Sequence, residues 1–124
     1  NNSALPLQTG GNVYLNGAVP HTKEANPRVF DGANPGLRLV EEGNRVVLHF
    51  NHLPKIDQAV TARVTTERLG RARIPDLPFE HPDGSPLVLD TDYLGKPRGG
   101  PQPSPGPFEQ IGSGQVALPV WNVP

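Results

Sequence analysis

The chain has 124 residues, enough for one domain with a single core, and its 11 basic and 12 acidic residues leave a net charge of −1. The charges are mixed along the sequence, so there is no single-sign field to draw it toward nucleic acid or an anionic membrane. With no cysteine, neither disulfides nor thiolate metal sites contribute to stability. No window approaches the 18 apolar residues of a membrane span, and Asn1-Asn2-Ser3 lacks the charged-then-apolar pattern of a signal peptide. The 14 glycines and 16 prolines would favour disorder if apolar residues were scarce, but runs rich in Val and Leu argue for a folded chain with much irregular backbone.

Proline and glycine interrupt the chain too often for any helical period, and the predicted elements are short strands. Val13 to Asn16 is a weak first strand, followed by an irregular stretch over 17–36. Leu37 to Phe50 reads as a hairpin, with Glu41-Glu42-Gly43-Asn44 at its turn and Val46, Leu48 and Phe50 on one face. Gln58 to Thr66 sets Val60, Ala62 and Val64 against Thr61, Arg63 and Thr65, the pattern of an antiparallel strand with one wet face. After an irregular 67–85, Pro86 to Asp90 is a second weak strand.

Near the C-terminus, Val116, Leu118 and Val120 alternate with Ala117, Pro119 and Trp121, and Pro119, having no N–H to give, belongs on an edge strand. About six strands with turns between them predict an all-β antiparallel sandwich, jelly-roll-like, with long Pro/Gly-rich loops. It occupies residues 1–124 as one domain, and residues 91–114 form an extended strap. Coils of a parallel β-helix are the alternative architecture.

The strap is the least ordinary segment, with five prolines and four glycines between Asp90 and Glu109. Its prolines restrict the backbone to extended conformations and lower the entropy lost on ordering it. Arg98 is expected to fork onto Glu109 or Asp92, with Tyr93 and Phe108 anchoring the strap to the core.

No catalytic signature emerges. His49 and His52 are three residues apart on a strand and face opposite ways, so they do not converge on a metal. Asp90-Thr91-Asp92 departs from a helix-loop-helix calcium loop, with Leu94 and Pro101 where oxygen ligands belong. A looser calcium site from Asp83, Asp90 or Asp92 is the residual cofactor reading. Acidic residues are plentiful, but their number fixes neither the separation nor the pKa difference that a hydrolytic pair needs. Ser3, Ser85, Ser104 and Ser113 lack a nucleophile-elbow context.

The string Asp92-Tyr93-Leu94-Gly95-Lys96-Pro97-Arg98, followed by Gly106-Pro107-Phe108-Glu109, resembles the closing segment of secreted right-handed parallel β-helix proteins that act on polysaccharides. There an acid, an aromatic, a G-x-P-R and a later G-x-x-E recur. The stretch from Asn12 to Pro20, through the hairpin and on to Pro82 to Pro86, is similar to a β-rich region attached to some of those proteins. The resemblance implies a secreted, non-catalytic accessory module that binds a polysaccharide for a catalytic domain, or a structural piece that caps or braces a neighbouring β-helix. Sugars stack their C–H faces on exposed aromatic planes, so Trp121, followed by Tyr14 and Tyr93, are the candidate ligand-binding residues. Arg68 and Arg71, from the basic loop Arg68 to Arg73, are candidates for contact with an acidic sugar or a neighbouring domain.

Overall fold

The computed structural model describes residues 9–124; strands are the main regular structure there, amid much irregular backbone, and helix is confined to a 3-10 turn at Pro54–Gln58 and the single α-turn α1 at Thr66–Leu69. No helix among the described residues is long and apolar enough to cross a membrane. The expected all-β class is what folds, in two sheets. One is a parallel pair, β1 (Val13–Leu15) with β2 (Arg28–Phe30), in which Tyr14 lies opposite Val29. β2 falls inside a stretch expected to be irregular, because three residues between Pro27 and Asp31-Gly32 are too few to show an alternation.

The second sheet is antiparallel, in the order β3 (Arg38–Glu42), β4 (Arg45–His52), β5 (Gly114–Asn122). Its β3–β4 hairpin turns at Gly43-Asn44, where Gly43 takes φ 65° and Glu42 pairs with Arg45. A glycine with positive φ at the first turn position matches the right-handed twist of the flanking strands. Leu39, Leu48 and Leu118 stand in one row across all three strands, and Phe50 faces Val116.

β5 is an edge strand, as Pro119 requires, but simple alternation fails beside that proline. The register shifts between Val46 and Val47: Val47 pairs with Pro119 and Val46 with Trp121, leaving Val120 as an extra residue. Trp121 therefore shares the face of Val46, Leu48 and Leu118, whereas the sequence pattern had set it opposite Leu118. A bulge inverts every side chain that follows it, and Pro119 brings no N–H to hold the ladder in step.

The strand expected over Gln58 to Thr66 does not form. Its first residue closes the 3-10 turn, and its last begins α1. Between them the chain is flanked by the strap on one side: the Arg63 amide donates to the Pro101 carbonyl (3.3 Å) and the Thr61 hydroxyl to that of Pro103. Prolines have no N–H to return, so a reciprocal ladder is impossible there. On the other side only Thr65 and Val88 make a bridge, supported by Thr66 N–H to Leu87 O (2.9 Å) and Leu89 N–H to Val64 O (3.0 Å). The weak strand at Pro86 to Asp90 is likewise reduced to bridges at Pro86 and Val88.

The strap is fastened by three of its own charged side chains, Asp92, Arg98 and Glu109. Asp92, 7% exposed, accepts from the amides of Leu94 and Lys96 (2.8 Å each) through Oδ1 and of Glu109 (2.9 Å) through Oδ2. Arg98 donates to the carbonyls of Thr91 (3.2 Å), Ser104 (3.1 Å) and Gly106 (2.8 Å) and reaches Glu109 Oε2 at 3.5 Å. Glu109, 5% exposed, also accepts from the Ser104 amide at 3.0 Å. Of the two carboxylates open to Arg98 in sequence, it takes Glu109, while Asp92 gathers backbone amides. The buried apolar residues are Ala33, Val47, Ala59, Phe108 and Val116, and among the described residues no side chain is fully enclosed.

Two expectations test this architecture. Gly11 has φ 69°, and a Cβ there would lie 2.6 Å from the Val60 carbonyl oxygen, where the 59–66 segment crosses the parallel pair. Gly11→Ala is expected to cost about 1–3 kcal/mol from backbone strain alone, measured by chemical denaturation. Burial opposes the Asp92 charge, but the amides of Glu109, Lys96 and Leu94, with the Lys96 ammonium, outweigh it and hold the carboxyl below its ordinary value. A depressed folded-state pKa stabilises above the unfolded value, about 3.9, and that contribution is lost as pH falls from there through the folded value. Protection of the Leu94, Lys96 and Glu109 amides against hydrogen exchange is therefore expected to hold from pH 6 down to about pH 4 and to be lost as the pH falls further, and Asp92→Asn to show the loss already at pH 6.

Candidate functional site

The strap and β5 together build an aromatic surface. Tyr93 packs edge-on against buried Phe108, with centroids 5.9 Å apart at 84°, and its hydroxyl donates to the Val120 carbonyl at 2.7 Å. That bond sets Tyr93 against the backbone of the residue just before Trp121. Both rings remain open to solvent, Tyr93 at 56% and Trp121 at 62%. Trp121 is displayed because it lies near the end of an edge strand, past the bulge, and Tyr93 stands at the turn that Asp92 closes over Leu94 and Lys96, its amide bonded to the Pro107 carbonyl at 2.8 Å. Tyr93, held by the bond from its hydroxyl to Val120, and Trp121, carried on a paired strand, present exposed apolar planes with polar edges, which suits stacking of a sugar ring.

The other candidates from the sequence lie elsewhere. Tyr14, on β1, is half-buried and its hydroxyl is 3.4 Å from Glu24 Oε2. Arg71 pairs with Asp76 (Nε to Oδ1 2.9 Å) and donates to the Asp76 carbonyl, bracing its own loop. Arg68 lines a cleft of about 720 Å³ between residues 9–12 and 23–26, which lead into the parallel pair, the 60–69 segment and the strap. Lys23, Asn26, Thr61 and Thr91 also line it, and sequence reasoning missed them because they come from three separate segments with no shared spacing.

The acidic groups are held by structural partners. Hydrogen bonds from Thr9, then Asn12 and Tyr14, outweigh partial burial and keep the Glu24 carboxyl below its usual range. The Ser85 hydroxyl and amide do the same for Asp83. Asp83 and Asp92 thus accept from different loops, and among the described residues no group of three or more His, Asp or Glu side chains gathers as a metal site requires. His49 meets Glu42 at 2.8 Å and His52 meets Asp57 at 3.1 Å, each on its own side of β4. Asp57 and Glu109 border a common hollow, but His52 occupies the first, and the Ser104 amide and Arg98 occupy the second.

No family model matches the chain, and no curated protein matches it. Among solved structures, that of XylC in complex with xylose is similar, with a TM-score of 0.80 and 36% sequence identity over 90% of this chain. The matched region is 17% of the XylC chain, so the present sequence spans a small part of that protein's length.

Proposed function

We propose that this chain is a non-catalytic carbohydrate-binding module, secreted, that holds a polysaccharide for an associated carbohydrate-active enzyme. The observation that carries the reading is the exposure of Trp121 and Tyr93, with the Tyr93 hydroxyl bonded to the backbone next to Trp121, in a fold similar to part of a xylose-bound protein. Trp121 is the stacking platform, and Tyr93 supplies a second ring face beside it. The engagement of Asp57 and Glu109 by structural partners supports a binding role over hydrolysis, which needs two carboxyls free to exchange protons. The association with a β-helix catalytic partner rests on the resemblance of the strap.

A second reading, that the chain braces a neighbouring domain, is favoured by a different observation. The sheet face carrying Trp121 also carries Leu39 at 68% exposure. Apolar side chains exposed together on one sheet face are characteristic of a surface that meets another protein.

Trp121→Ala separates the two. A platform residue is expected to lose at least roughly tenfold in affinity for xylo-oligosaccharides by calorimetry, because the stacking plane is gone. Thermal stability should stay within about 0.5 kcal/mol, since an exposed side chain contributes little packing. A stable variant that binds as the parent does removes Trp121 from the site. Absence of binding by the parent to any polysaccharide leaves the bracing reading.

A further inference from the structure

Building on the carbohydrate reading, but at a separate surface, we infer that the cleft lined by Lys23 and Arg68 receives the carboxylate of a uronic-acid-bearing saccharide. Its volume of about 720 Å³ falls within the range of small-molecule sites, and no Asp or Glu lines it. That sign is unusual in a chain with more acidic than basic residues. Among the described residues neither the Lys23 ammonium nor the Arg68 guanidinium has a hydrogen-bond or ion-pair partner; only their backbone amides are engaged, with His21 and Thr65. Arg71 and Arg98, by contrast, are paired with carboxylates of the chain itself.

The neighbouring charges sharpen the choice of ligand. Arg98 borders the cleft, but its guanidinium is taken up by three carbonyls and Glu109, so it adds little more than field. Glu24, beside Lys23, turns its carboxylate onto Thr9, Asn12 and Tyr14 and does not line the cleft. The base of Arg68 is fixed, because its amide donates to Thr65 Oγ1 at 3.1 Å and the adjoining Thr66 is bonded to Leu87. A planar guanidinium with free donors matches a carboxylate in a two-point contact, and Lys23 supplies a second positive charge. Asn26 and Thr91 offer polar groups for sugar hydroxyls. A neutral sugar entering the same space would remove water from two cations without replacing it, which opposes binding.

The test uses the full chain, titrated by calorimetry with a glucuronate-substituted xylo-oligosaccharide, its unsubstituted counterpart, glucuronate and inorganic phosphate. The substituted oligosaccharide is expected to bind roughly tenfold more tightly than the unsubstituted one at low salt, with the advantage shrinking as salt rises. Arg68→Gln and Lys23→Gln should each erode that preference without moving the melting temperature, and the double variant should abolish it. Equal binding of the two oligosaccharides overturns the inference, as does a preference that survives in the double variant. Phosphate binding as tight as glucuronate would also overturn it, since the site would then be a simple anion trap. Trp121-dependent binding of the neutral oligosaccharide with no acidic preference sinks this inference and leaves the module reading intact, whereas no binding of any saccharide sinks both.

Discussion

The Arg98 guanidinium is the interaction on which the rest of the structure depends. It ties the carbonyls of Thr91, Ser104 and Gly106 to the carboxylate of Glu109, and Asp92 completes the arrangement by accepting the Glu109 amide. With only five buried apolar residues among those described, such a network supplies cohesion that a thicker core supplies elsewhere. A half-satisfied network of this kind would be worse than none, because each buried polar group left alone costs its full desolvation. The prolines make the arrangement possible by limiting what the unfolded strap has to lose. From the fastened strap come the position of Tyr93, the burial of Phe108 and one wall of the cationic cleft.

How much of this was legible depended on the range of the interactions. The β3–β4 hairpin could be read because its turn and alternation are local, and the partner of Arg98 could be narrowed to Glu109 or Asp92 because all three lie in one short, unusual segment. The edge position of β5 followed from a single missing N–H at Pro119. The same proline misled the reading of Trp121, since a bulge is set by how a neighbour's ladder slips and not by the strand's own pattern. Gln58 to Thr66 has a strand's alternation, yet its outcome was decided by Pro101 and Pro103, some forty residues on, which accept hydrogen bonds and return none.

The candidate site divides along the same line. Trp121, Tyr93 and Arg68 were each identifiable as residue types that serve recognition. Nothing in the sequence tells that the Tyr93 hydroxyl reaches the backbone next to Trp121, that Tyr14 turns to Glu24, or that Arg71 closes on Asp76 while Arg68 stays open. The structure thus separates two surfaces of different chemistry, one of aromatic planes and one of unpaired positive charge. An extended saccharide chain offers partners for both, apolar ring faces for the first and, where it carries acidic units, carboxylates for the second.

The central claim, that the aromatic surface is a saccharide platform, is reached most directly through the chain's one tryptophan. Its indole N–H gives a single resolved resonance in a nitrogen-correlated NMR spectrum, which can be followed while xylo-oligosaccharide is added to isotope-labelled protein. The account expects that resonance and the ring signals of Tyr93 to shift together along one saturable curve. A titration in which other residues saturate while the Trp121 indole stays where it began would contradict the account.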